Sequence, residues 1–92
     1  MALLSDDDIT TALEDREWRR EGTALVRDWR LADFAAAIAF VERVAELAEE
    51  ADHHPDILVH GWNHVRLTLS THSEGGITAA DLALAQRVDT LS

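Results

Sequence analysis

Apolar and polar residues change period four times along the chain, and each change marks an element. Ser5 followed by Asp6, Asp7 and Asp8 reads as a helix start, with a hydroxyl cap and carboxylates where the helix dipole favours negative charge. A short helix to about Glu14 follows. The pieces from Trp18 and from Thr23 to Leu31 flank Glu21-Gly22 and predict a hairpin. From Ala32 to Ala51 the period becomes helical. Phe34, Ile38, Phe40, Val41, Val44 and Leu47 fall on one arc of roughly 200°, twice the ~100° stripe that covers one side of a core. Glu42, Arg43, Glu46, Glu49 and Glu50 take the other arc. A helix this broadly apolar in so short a chain is expected to pack on a sheet with one edge and on a partner subunit with the other.

Pro55 has no N–H and restricts the residue before it, so the long helix must end at or before His54. Beyond it, Ile57 to Trp62 is a candidate strand, and Val65, Leu67 and Leu69 alternate with Arg66, Thr68 and Ser70. Gly61 suggests a bulge in this region. Ser73 to Gly76 is a turn, and Thr78 caps a last helix with Asp81 in the capping-box position. The predicted fold is α+β: a two-layer sandwich with a four-stranded antiparallel sheet, three helices on one face and the order α-β-β-α-β-β-α. Its 92 residues suit a single domain spanning 1–92.

Composition narrows the chemistry. With 47% hydrophobic and 28% charged residues the chain is expected to fold. Asp plus Glu outnumber Lys plus Arg by 18 to 8, a formal charge of −10, which repels phosphate backbones and anionic lipid and argues against direct nucleic-acid or membrane binding. There is no cysteine for a disulfide or a zinc-thiolate site. No basic leader segment opens the chain and no apolar run reaches the ~18 residues of a membrane span, so a cytoplasmic location is expected.

All five histidines, His53, His54, His60, His64 and His72, fall between the end of the long helix and the end of the last strand. His64 and His72 share the parity of Arg66 and Thr68, and His72 at the strand end can approach a loop carrying His53 and His54. Imidazoles titrate near neutrality, with an ordinary pKa of ~6.5, and converging rings can supply both acid and base to a hydration or dehydration. The same residues would also serve as polar groups on a solvated sheet face. A zinc site fits less well, because adjacent histidines chelate one ion poorly and His60 and His64 lie in strand-like sequence. Glu49 would sit one turn before His53 on a continuing helix and orient it. Trp62 is either core or the floor of a pocket for a flat heterocycle.

The pattern Glu49, three spacers, His53-His54-Pro55, six residues, Trp62, nine residues, His72, eight residues, Asp81 resembles the signature of the pterin-4a-carbinolamine dehydratase family, also described as the dimerisation cofactor of a homeodomain transcription factor. The stretches ADFAAAIAFVERVAELAEEAD and DHHPDILVHGWNHVRLTLSTHSEGGIT resemble the family's long helix and second half, and the likeness runs from about Trp18 to Leu91. The segment VHGWNHV looks one residue longer than the shorter form of the signature.

The resemblance implies dehydration of 4a-hydroxytetrahydrobiopterin, or a related reduced pterin, to the quinonoid dihydropterin and water, with no metal or organic cofactor. It makes His53 and His72 acid–base candidates, His54 a pterin-binding and proton-transfer partner, and Glu49 the carboxylate that orients the cluster. Pro55, Trp62 and Asp81 complete the substrate site. It also implies a homodimer or homotetramer through the long helix, and an aromatic amino acid hydroxylase as a metabolic neighbour. The alternatives are a protein-interaction role through the helix surface and action on another pterin, such as one in molybdopterin metabolism.

Overall fold

The computed structural model describes residues 2–91. Its elements are α1 (Asp6–Leu13), β1 (Arg19–Glu21), β2 (Ala24–Arg30), α2 (Phe34–Ala51), β3 (Asp56–His60), β4 (His64–Leu69), a 3₁₀ turn (His72–Glu74) and α3 (Ala79–Asp89). The class and order are those the hydrophobic pattern predicts. Boundaries differ where a side chain intervenes. The long helix begins at Phe34 rather than Ala32, because Asp33 caps it by accepting the Ala36 N–H at 2.7 Å. The sheet runs β1-β2-β4-β3, antiparallel throughout, so α2 carries the chain past β4 and β3 joins at the outer edge.

Alternation along β2 and β4 divides the sheet. Leu25, Trp29, Val65, Leu67 and Leu69 face the helices and are buried with Phe40 and Val44 of α2 and Leu84 and Val88 of α3. Each such side chain contributes ~1.5–3 kcal/mol on leaving water. Trp29 links the layers, edge-on to Trp18 at 5.7 Å between ring centroids and tilted against Phe40 at 4.9 Å. Arg27 also points toward the helices, stacks on the Trp29 ring and donates to Asp89 at 2.6 Å, where the Trp18 indole N–H donates as well at 2.8 Å. On the opposite face Asp28 accepts from Arg66 at 2.8 Å and from Arg19 at 2.9 Å. The Arg66 hydrogen bond, then that of Arg19, outweigh partial burial and hold the Asp28 carboxyl below its ordinary value.

The broad apolar arc of α2 divides as well. Ala37, Phe40, Val44 and Ala48 are buried, whereas Phe34 and Ile38 on the adjoining edge are 55% and 36% exposed. Trp62 is not in a strand: β3 ends at His60, and Gly61, Trp62 and Asn63 form a three-residue turn in which the first two are left-handed (φ 53° and 57°). The bulge expected at Gly61 is thus a hairpin turn, and the residue that lengthens this segment sits at its tip. Asn63, itself buried, ties the turn to the end of β2 by donating its side-chain N–H to the Leu31 carbonyl at 3.0 Å.

Candidate active site

Two helix ends build the site. At the C-terminus of α2, Asp52 adopts a left-handed conformation (φ 50°, ψ 42°); its N–H bonds the Glu49 carbonyl and the His53 N–H reaches back to the Ala48 carbonyl at 3.1 Å. This is a Schellman closure with Asp where glycine is usual. It turns His53 off the helix axis and toward the N-terminus of α3. There Asp81, in the capping box with Thr78, is completely buried.

His53 Nε2 lies 2.5 Å from Asp81 Oδ1, while Asp81 Oδ2 accepts from the Thr78 backbone N–H and the Thr71 hydroxyl, both at 2.9 Å. A carboxylate only accepts, so Nε2 of His53 carries a hydrogen, and in the neutral form of the ring Nδ1 is the bare nitrogen. Nδ1 has no partner among the described residues. Asp81 thereby selects one tautomer of the neutral imidazole, the relation an aspartate holds to histidine in hydrolytic triads.

His54 projects the other way, its side chain 59% exposed, with Nε2 2.7 Å from Glu49 Oε2. Glu49 therefore pairs with His54 rather than His53. The i, i+4 relation assumes a continuing helix, and the reversal at Asp52 breaks it. His72 opens the 3₁₀ turn instead of ending β4, is exposed, and follows Thr71, whose hydroxyl bonds Asp81. Pro55 fixes the entry into β3. Trp62 is not brought to this end: it is 61% exposed at the hairpin tip, beyond the five residues of β3, roughly 13–17 Å of strand. At that far end His60 and His64 pair across the strands with rings stacked at 5.3 Å. A recess lined by Leu13, Arg16, Trp18, Leu82 and Ala85 contains none of the five histidines.

The residues that sequence reasoning passed over are Thr71 and, beyond its capping role, Thr78. Their hydroxyls lie 2.8 Å apart. The capping-box pattern pointed at Thr78 and Asp81, but no periodicity singles out Thr71.

A small α+β sandwich thus carries a carboxylate-oriented histidine, a second carboxylate-paired histidine and a third ring on an adjacent turn, side chains whose chemistry includes proton transfer. The comparisons give the family. Residues 2–91 match the family described as Pterin 4 alpha carbinolamine dehydratase, and the chain belongs to it. A relative from Nocardia farcinica is 52% identical, with 98% of this chain and 95% of its own length aligned, and one from Thermomicrobium roseum is 50% identical over 100% and 99%. Both carry the provisional name pterin-4-alpha-carbinolamine dehydratase. Among solved structures, a transcriptional coactivator/pterin dehydratase from Brucella melitensis superposes with a TM-score of 0.89 at 32% identity, covering 97% of each chain. A pterin dehydratase-like protein identified as a RuBisCO assembly factor in the alpha-carboxysome gives 0.70 at 31% identity, over 84% of this chain and 90% of its own.

Proposed function

We propose that this chain dehydrates a 4a-hydroxytetrahydropterin, with 4a-hydroxytetrahydrobiopterin as the reference substrate, by histidine acid–base catalysis. The observation that carries the reading is the His53–Asp81 pair, a buried carboxylate fixing the tautomer of a histidine whose other nitrogen has no partner among the described residues. In the reaction the C4a–O bond breaks as its oxygen takes a proton and leaves as water; N5 loses its proton, and that electron pair forms the N5–C4a double bond. The step balances with one donor and one acceptor. His53 through Nδ1 is assigned as acceptor, His72 as donor to the departing oxygen, and His54 with Glu49 as the flanking pterin contact and proton-transfer pair.

The exposed Phe34 and Ile38 support a second element of the proposal, association of copies through α2, since apolar side chains on one helix edge gain by mutual burial. Two solved relatives, a transcriptional coactivator/pterin dehydratase and a RuBisCO assembly factor, carry this fold with roles in protein interaction. A non-enzymatic role through the same helix would survive loss of the histidines.

The test follows the ultraviolet absorbance of chemically generated 4a-hydroxytetrahydropterin with and without protein, beside His53→Ala and His72→Ala. Acceleration over spontaneous decay that collapses in both variants is expected. A wild-type protein that leaves the spontaneous rate unchanged overturns the reading for this substrate.

A further inference from the structure

Asp81 sets the tautomer of His53, and what holds Asp81 in turn is a chain of two hydroxyls. Thr71 Oγ1 carries a single hydrogen, and it is given to Asp81 Oδ2 at 2.9 Å. The 2.8 Å contact between the Thr71 and Thr78 hydroxyls must then be donated by Thr78. Thr78 Oγ1 also accepts the Ala80 N–H at 3.3 Å, so its own hydrogen is free for Thr71. Donation runs from Thr78 to Thr71 to Asp81, and the carboxylate receives the His53 Nε2–H from the other side. Thr78 and Asp81 are wholly buried, where a carboxylate without its donors is costly and its hydrogen bonds are strong.

The backbone of Thr71 does a second job. Its N–H donates to the Gly76 carbonyl at 2.8 Å, and its carbonyl accepts from Glu74 and Gly75, both at 3.0 Å, closing the turn that begins with His72. Resting on the acid–base reading above, we propose that Thr71 is a positioning residue for both histidines: its hydroxyl holds Asp81 so that His53 keeps Nε2–H and a bare Nδ1, and its backbone fixes the turn that delivers His72.

Substitution separates positioning from bulk packing. Thr71→Val keeps the branched shape and removes the donor; Thr71→Ser restores the donor. Ring nitrogen-15 chemical shifts of His53 distinguish the Nε2–H from the Nδ1–H tautomer without any substrate. The wild type and Thr71→Ser should show the Nε2–H signature, and Thr71→Val a mixture of tautomers. In the absorbance assay Thr71→Val should lower kcat about 5- to 20-fold with KM nearly unchanged, at or below the low end for a hydrogen bond to a charged group because Thr71 reaches His53 only through Asp81, and Thr71→Ser should recover most of it. Should the valine variant fail to fold, Thr71→Ala is read in the same way. A folded donor-less variant with the wild-type His53 signature and wild-type kcat overturns the proposal. If no variant or wild type accelerates pterin decay, yet the tautomer mixes in Thr71→Val and not in Thr71→Ser, the positioning role stands and the pterin reading fails.

Discussion

The D81N substitution exchanges one oxygen of a fully buried side chain for an NH₂ group, and its consequences can be counted donor by donor. Asp81 Oδ2 receives two donors and Oδ1 receives one, from His53. The amide oxygen of asparagine keeps the two, leaving its NH₂ facing His53 Nε2. That nitrogen must then accept, so the ring takes its hydrogen on Nδ1 and the bare nitrogen offered to substrate disappears. A charge-assisted hydrogen bond, worth roughly 1.5–3 kcal/mol, gives way to a neutral one of opposite direction, which bounds the loss in rate at about 10- to 150-fold at ~1.4 kcal/mol per decade. Folding should suffer less, by under about 2 kcal/mol, because the volume, the cap and two of the three hydrogen bonds survive. D81A removes all of them and should cost about 3–5 kcal/mol. Single-turnover decay of the carbinolamine gives the rate, and urea unfolding gives the stability. A folded D81N protein that turns over within about twofold of wild type would refute the tautomer argument, and so would a loss confined to KM.

Three further outcomes are expected elsewhere in the molecule. D89A strands the half-buried Arg27 guanidinium and the Trp18 indole N–H, and should lower unfolding free energy by about 2–4 kcal/mol in urea titrations. Asp28, whose folded-state carboxyl lies below the unfolded value of 3.8, contributes stability above that value and loses it as pH falls through the lower folded one. D28N should therefore be less stable than wild type at neutral pH, by no more than ~1 kcal/mol for so exposed a network, and the difference should vanish on acidification through the lowered folded-state value. Replacing Phe34 and Ile38 together by glutamate should shift the species in analytical ultracentrifugation toward monomer with far-ultraviolet circular dichroism unchanged.

Much of the fold is legible because its periods are clean. Val65, Leu67 and Leu69 alternate without interruption, and Thr78 with Asp81 announces a helix start whatever lies around it. The candidate site can be listed from the sequence, but its geometry is less legible. Pairing Glu49 with His53 follows from helical spacing, and the spacing fails because Asp52 takes a left-handed conformation that glycine would have advertised and aspartate does not. The gap from Pro55 to Trp62 counts residues but hides a strand's length of separation. Thr71 carries no signal at all, since its partner on α3 is ten positions away and meets it only after β4 has docked.

The hairpin tip at Gly61–Asn63 has a bearing on how such chains can vary. Antiparallel register in β3 and β4 is anchored along both strands, and Asn63 pins the near side of the turn to Leu31. Residues gained or lost between His60 and Asn63 would alter the reach of the tip while leaving the spacing of His53, Asp81 and His72 untouched, because those sit at the strands' other end. The turn is thus a length buffer: a place where an insertion, a fluorophore or an affinity handle could be carried without mechanical cost to the end of the molecule that holds His53, Asp81 and His72.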